Sequence, residues 1–138
     1  MSTQPPHWNP ISRLPEIATA IDGMLEMAEE QYSTLLEVRD RPHVLDDSTV
    51  GRVIEVFTKE SEALWLYEEQ LRRWQAIDLT ATQRQEVERL GGQLSTLREV
   101  IASILALAEE LKGGTIERVL AKSDIELALE VLLGKRRL

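Results

Sequence analysis

The feature that most constrains the fold of this chain is a run of apolar residues spaced alternately three and four positions apart. The run comprises Val87, Leu90, Leu94, Leu97, Ile101, Ile104, Ala108 and Leu111. Because residues at that spacing share one side of an α-helix, the segment predicts a long third helix with a single apolar seam. Such a seam packs against other helices at shallow angles, so the expected fold class is all-α.

Two earlier segments carry the same periodicity and predict two more long helices. The first helix should begin between Ser12 and Pro15, because proline fits a first helical turn, and end near Asp40, just before Pro42. Its seam consists of Leu14, Ile17, Ile21, Met24, Ala28, Leu35 and Val38. The second helix should follow an N-cap at Asp46. Its seam consists of Val53, Phe57, Leu64, Tyr67, Leu71 and Trp74.

The residues after Gly113-Gly114 predict a short C-terminal helical pair. Glycine directly after a helix is a common C-terminal signal. Residues 115–122 form the first short piece, and the spacing of Ser123 and Glu126 is that of a capping box, which predicts a second piece over residues 125–133. This second piece is apolar on nearly every side, so either the end of the bundle or a partner should cover it.

The chain is therefore predicted to be an elongated antiparallel bundle of three long helices plus the short C-terminal helical pair. Residues 1–11 contain three prolines and predict an extended N-terminal arm, while residues 12–138 predict a single helical-bundle domain. Trp8 either anchors this arm in a groove of its own or a neighbouring subunit, or belongs to an unattached tail.

Charge and composition argue against several classes of function. The net charge of −8 disfavours nucleic-acid binding, since phosphate contacts need a basic surface, and the only local basic candidate is Lys135-Arg136-Arg137. The chain has no cysteine for a disulfide, a thiolate metal site or a nucleophile. Because neither a signal-peptide pattern nor a membrane-length apolar run is visible, a cytoplasmic protein without membrane contact is expected.

Two glycines inside the third helix and one glutamate on the second seam are unexpected at their positions. Gly91-Gly92 would cost about 2 kcal/mol relative to alanine inside a helix, which predicts a kink, a hinge or a close approach of a neighbouring backbone. Glu60 falls between Phe57 and Leu64 on the second seam, where burial would raise its pKa. The favoured expectation is that Ser61 turns inward in its place and Glu60 turns toward solvent.

Four carboxylates of the first helix form a recognisable pattern. Glu26-x-x-Glu29 and Glu37-x-x-Asp40 resemble, over fifteen residues, the paired motifs of all-α nucleotide pyrophosphohydrolases of the MazG type. The resemblance implies Mg²⁺-dependent chemistry with these four side chains as ligands. In that family the two pairs lie on different helices, whereas here both fall on one predicted helix, about 12 Å apart along its axis.

The sequence contains more apolar residues than the three seams would bury, and this excess predicts a role in helix–helix association. Helices of roughly 30 residues would be about 45 Å long and make a thin bundle, so pairing of bundles would bury their seams more completely. We expect a non-enzymatic interaction or scaffolding module that self-associates, with a dimer favoured and no metal or cofactor. The candidate interface residues are Trp8, Trp65, Leu66, Ile125, Leu129 and Leu132.

Two alternatives from other classes remain open. The first is a carboxylate-dependent Mg²⁺ or Mn²⁺ enzyme that uses Glu26, Glu29, Glu37 and Asp40. The second is a small regulator that binds a peptide helix of another protein in a groove near Gly91-Gly92.

Overall fold

The computed structural model describes residues 7–132, the side chains of residues 122, 123, 127, 130 and 131 excepted. Within this part the chain forms four helices and has no strand: α1 (Leu14–Glu37), α2 (Asp47–Gln75), α3 (Ala81–Lys112) and α4 (Ile116–Leu132). Short 3-10 turns precede α1 (Ile11–Arg13) and α2 (Pro42–Val44). The prediction of an all-α bundle with three long helices is confirmed.

The centre of the bundle is α3, against which both α1 and α2 make their main contacts. All eight residues of the seam predicted for α3 are buried, each with at most 2% of its surface exposed. Ile21 and Ala28 from α1 and Val50 and Leu64 from α2 are buried almost as completely. The core is therefore a layer of interdigitated aliphatic side chains on either side of one central helix.

Side-chain caps fix where α2 and α3 begin. Asp46 accepts a hydrogen bond from the backbone N–H of Thr49 at 2.6 Å, as the sequence predicts. Thr80 and Gln83 have the spacing of a capping box in the sequence, and they form its two reciprocal hydrogen bonds, at 3.0 and 3.1 Å. Each cap satisfies backbone donors that the first helical turn leaves without a partner.

A polar cluster ties α1 to α3 at the level of Asp22. The Arg89 guanidinium donates to both carboxylate oxygens of Asp22, at 3.0 and 2.8 Å, and also pairs with Glu86. Gln93 donates to the same carboxylate at 3.0 Å. The bond from Arg89, followed by the bond from Gln93, lowers the pKa of Asp22. Being directional, these bonds fix the register between the two helices.

Two details differ from the sequence predictions. The expected C-terminal helical pair is one continuous helix, α4, because no glycine or proline interrupts its sequence and capping-box spacing alone does not end a helix. The close backbone approach considered for Gly91-Gly92 is also wrong. Both glycines are exposed inside an unbroken α3, and a Cβ built on either would meet no atom within 4 Å.

The space around Gly91 and Gly92 leads to a prediction about stability. Changing either glycine to alanine should raise the free energy of unfolding by about 0.5–1 kcal/mol, because alanine has fewer unfolded conformations to lose and fits without a clash. Urea unfolding followed by circular dichroism measures the change. Destabilisation by either substitution would contradict the open surroundings that the structure shows.

Candidate interaction surfaces

The first turn of α4 is fastened to the start of α2. The Ile116 backbone N–H donates to the carbonyl oxygen of Leu45 at 2.8 Å, and the Glu117 carboxylate accepts from the Asp47 backbone N–H at the same distance. The hydroxyl of Thr115, which is fully buried, donates to the Asp47 carboxylate at 2.6 Å. These bonds hold the base of α4 in one place on the bundle.

Gly114 makes this attachment sterically tight. A Cβ built at Gly114 would lie 2.5 Å from Cγ of Pro42, in the 3-10 turn before α2. At neighbouring Gly113 the nearest atom would be a backbone oxygen of α3 at 3.8 Å, which is an ordinary contact. The turn between α3 and α4 therefore packs directly on Pro42, and only a glycine fits there without a shift.

Beyond this base, α4 exposes large apolar side chains to solvent, beside charged ones such as Asp124 and Glu126. Every described side chain of α4 is exposed. Its large apolar residues keep a substantial part of their surface accessible: Ile116 36%, Val119 40%, Leu120 57%, Ile125 61%, Leu129 51% and Leu132 80%. A helix with so many apolar side chains is normally covered, so α4 presents a surface that the other described residues do not bury.

The second surface lies where the N-terminal arm crosses α2. The Asn9 backbone N–H donates to the side-chain oxygen of Gln70 at 2.7 Å, and the Gln70 amide donates back to the Asn9 carbonyl at 3.2 Å. The indole N–H of Trp74 donates to that carbonyl at 3.0 Å. With Gln70 only 3% exposed and Trp74 2% exposed, buried side chains hold the backbone of one arm residue.

The indole of Trp8 lies on the outer side of α2. The Trp8 ring meets the Trp65 ring edge to face, with 6.3 Å between the ring centroids. The Arg73 guanidinium lies 4.4 Å from the centroid of the Trp8 ring. Glu69 holds Arg73 through an ion pair at 3.2 Å. Beside these side chains is an open groove of about 510 Å³, to which Ile17, Leu66, Tyr67 and His7 also contribute.

The predicted interface residues fall into two separate groups. Trp8, Trp65 and Leu66 line the groove at the arm, whereas Ile125, Leu129 and Leu132 belong to α4. Trp65 lies 18 residues beyond Asp47, where α4 is attached, which is about 27 Å along α2. Trp8 contacts its own subunit and is half-buried there, which agrees with one of the positions expected for it.

Sequence reasoning did not identify Asn9 and Gln70 as a pair. Gln70 lies next to the seam residue Leu71, and hydrophobic periodicity carries no information about a buried amide. The one available signal was a tryptophan in a proline-rich arm, which predicted an anchor without locating its partner.

The carboxylates of the metal-site alternative are not brought together. Glu26, Glu29 and Glu37 are exposed along α1, and Asp40 is exposed in the turn that follows. The described part of the chain contains no group of three or more acidic or histidine side chains able to hold a metal ion. The structure therefore gives the four carboxylates no common centre.

The groove considered for a peptide helix is small. The space beside Gly91, between α2 and α3, has a volume of about 250 Å³ and a charged rim that includes Glu68 and Arg98. An α-helix with its side chains is about 10–12 Å in diameter, so this small depression offers it little enclosed surface.

Glu60 is half-buried on α2, and so is its neighbour Ser61. The expectation that Ser61 turns inward in place of Glu60 is met only in part, because the two residues share the edge of the core. Burial raises the pKa of Glu60 above its ordinary value of 4.5, because removal from water penalises the charged carboxylate. The apolar positions on both sides fix the local register of the helix and prevent it from rotating further outward.

Comparisons of the chain with protein-family models, with curated proteins and with solved structures gave no match. Among the described helices, none combines the length and the apolar character that crossing a membrane requires. The described residues thus form an all-α bundle with two distinct exposed surfaces, one on α4 and one at the N-terminal arm.

Gly114 and Gly113 provide a matched test of how α4 is attached. Gly114→Ala should lower the free energy of unfolding by about 1–3 kcal/mol, because the new methyl group overlaps Pro42. Gly113→Ala should change it by about 0.5 kcal/mol or less. Urea unfolding measures both, and equal effects of the two substitutions would contradict the contact at Pro42.

Glu60 makes the stability of the bundle depend on pH. Below the unfolded-state pKa both states are protonated; as the pH rises above it, the unfolded state ionises first and the folded state loses stability. Glu60→Gln should therefore raise the Tm at pH 7 by about 2–4 °C and leave it nearly unchanged at pH 3.5. Thermal unfolding measures this, with Glu62→Gln on the exposed side of α2 as the control. An equal shift at both pH values would contradict the assignment.

Proposed function

We propose that this protein is a non-enzymatic helical module that self-associates, and that α4 is the contact between copies. The observation that carries the proposal is the exposure of large apolar side chains along Ile116–Leu132, a helix whose first turn supplies its hydrogen bonds to the bundle among the described residues. An isolated helix of 17 residues is only marginally stable in water, so α4 gains most when a partner covers it.

The exposed apolar surface of α4 is large enough to drive association. Leu120, Ile125, Leu129 and Leu132 each keep between 51% and 80% of their surface exposed, and burying such a side chain completely contributes about 1.5–3 kcal/mol. Two copies together would gain on the order of 10 kcal/mol, against an association cost of about 4–15 kcal/mol. Association should accordingly depend on concentration, and a dimer is the simplest product.

A second copy is the occupant that the surroundings of α4 favour. The apolar surface continues from α4 onto Val44, which is 53% exposed beside the attachment point at Leu45. A two-fold symmetric contact would bury this continuous surface twice, once in each copy. Cytoplasmic location is part of the same proposal, since a chain without cysteine suits a reducing compartment.

Replacing two leucines of α4 by aspartate tests the proposal. Light scattering on purified protein, over roughly a hundredfold range of concentration, should show wild-type protein shifting toward dimer as concentration rises. Leu129→Asp with Leu132→Asp should weaken the dimer at least tenfold while the helix content by circular dichroism stays unchanged, because a buried unpaired charge is strongly unfavourable.

The matched control places the same charges on other exposed apolar positions. Met27 and Val56 are 70% and 48% exposed on α1 and α2, so Met27→Asp with Val56→Asp changes net charge equally without touching α4. This control should dimerise like wild type. A monomeric wild-type protein throughout the range, or equal weakening in both double variants, would refute the role of α4.

A further inference from the structure

The contact between the arm and α2 has the chemistry of a peptide-recognition site. Gln70 offers the backbone of Asn9 one acceptor and one donor, at 2.7 and 3.2 Å, as the edge of a β-sheet does for an added strand. Gln70 is buried, and its side-chain amide makes these hydrogen bonds with Asn9, a residue of the arm. A buried amide whose partners are the two backbone groups of an extended segment needs that segment to remain satisfied.

Side chains around this amide add selectivity for an aromatic residue. Trp65 meets the Trp8 ring edge to face, and Arg73 lies 4.4 Å from the centroid of that ring. Both interactions depend on a flat electron-rich ring at the position before the backbone pair. The ligand chemistry is thus an extended segment with a tryptophan followed by a residue that offers its N–H and its carbonyl.

The contacts that seat the arm do not depend on its covalent link to α1. Trp8 and Asn9 make their contacts with side chains of α2. The arm joins α1 through Pro10, whose carbonyl accepts a hydrogen bond from the Arg13 backbone N–H at 2.9 Å. Pro10 has an extended backbone, with φ −69° and ψ 159°. The same segment from another molecule would offer the same indole, N–H and carbonyl to these partners, and its chain would have to turn away at Pro10, before the 3-10 turn Ile11–Arg13, whose Ile11 packs against the core.

We propose that Gln70, Trp74, Trp65 and Arg73 form a binding site for the segment His7–Pro10, and that a second copy's arm occupies it by exchange. Exchange of an identical segment conserves every contact and is a low-cost route to association. A tethered arm has a local concentration on the order of millimolar at its own site. It therefore stays in that site until the concentration of other copies becomes comparable. This proposal does not rest on α4.

A labelled peptide tests the ligand chemistry. The acceptor is the full chain with Trp8→Ala and Asn9→Pro. The first substitution removes the indole, and the second removes the backbone N–H that donates to Gln70. A fluorescent peptide of residues 7–13 should bind this acceptor by fluorescence anisotropy. A peptide with alanine at position 8 should bind the acceptor at least tenfold more weakly than the unchanged peptide does. Wild-type protein, whose own arm fills the site, should bind the unchanged peptide at least tenfold more weakly than the acceptor does.

The site itself is tested by adding Trp65→Ala to the acceptor. Trp65 is 50% exposed, so its removal should leave the fold intact while weakening the peptide at least tenfold. Gln70→Leu serves as a second site variant, with circular dichroism to verify folding. Equal affinity for the two peptides, or equal affinity of the acceptors with and without Trp65, would overturn the proposed chemistry.

Exchange between copies is tested on a Leu129→Asp, Leu132→Asp background, so that contacts through α4 do not contribute. A donor with an intact arm but Trp65→Ala and Gln70→Leu carries a dye on a cysteine introduced at exposed Ser33. Sedimentation velocity should show a faster labelled species when the acceptor is added, and no change when the acceptor also lacks Trp65. If the acceptor that retains Trp65 leaves the sedimentation coefficient of the donor unchanged, the proposal that a second copy's arm occupies the site is refuted, even if the peptide binds.

Discussion

The rest of the structure depends on burial of the α3 seam. From Val87 to Leu111 its aliphatic side chains are removed from water by α1 on one side and α2 on the other. Because both neighbouring helices make their main contacts with α3, its position determines where each of them lies. The polar links, such as Arg89 with Asp22, fix the register of helices that this apolar contact has already brought together.

The parts of the fold that follow from local rules could be predicted from the sequence. Seam spacing located most of the buried side chains of the three long helices, although Ile17, Met24, Val38 and Tyr67 are only half-buried. The residue types at Asp46 and Thr80 located two helix starts. Prediction failed where tertiary context decides the outcome. Capping-box spacing at Ser123 did not interrupt α4, and no periodic pattern could show that the Gln70 amide pairs with the backbone of Asn9.

Two surfaces with different chemistry lie well apart on the bundle. At the base of α4, directional bonds such as Thr115 to Asp47 orient a helix whose outer part exposes large apolar side chains beside charged ones such as Asp124 and Glu126. At the arm, a buried amide and two indoles recognise a short extended segment, as polar groups and aromatic rings do when selectivity is needed. The first arrangement suits concentration-dependent association, and the second suits selection of a particular segment.

In the proposed assembly, α4 becomes covered when two copies meet. Hydrogen exchange of its backbone amides, measured by mass spectrometry at low and high protein concentration, tests this directly because an uncovered helix opens readily. We predict that exchange within Ile116–Leu132 slows at least tenfold at high concentration, while exchange within the buried helix α3 changes little. Exchange in α4 that stays fast and independent of concentration would contradict the account.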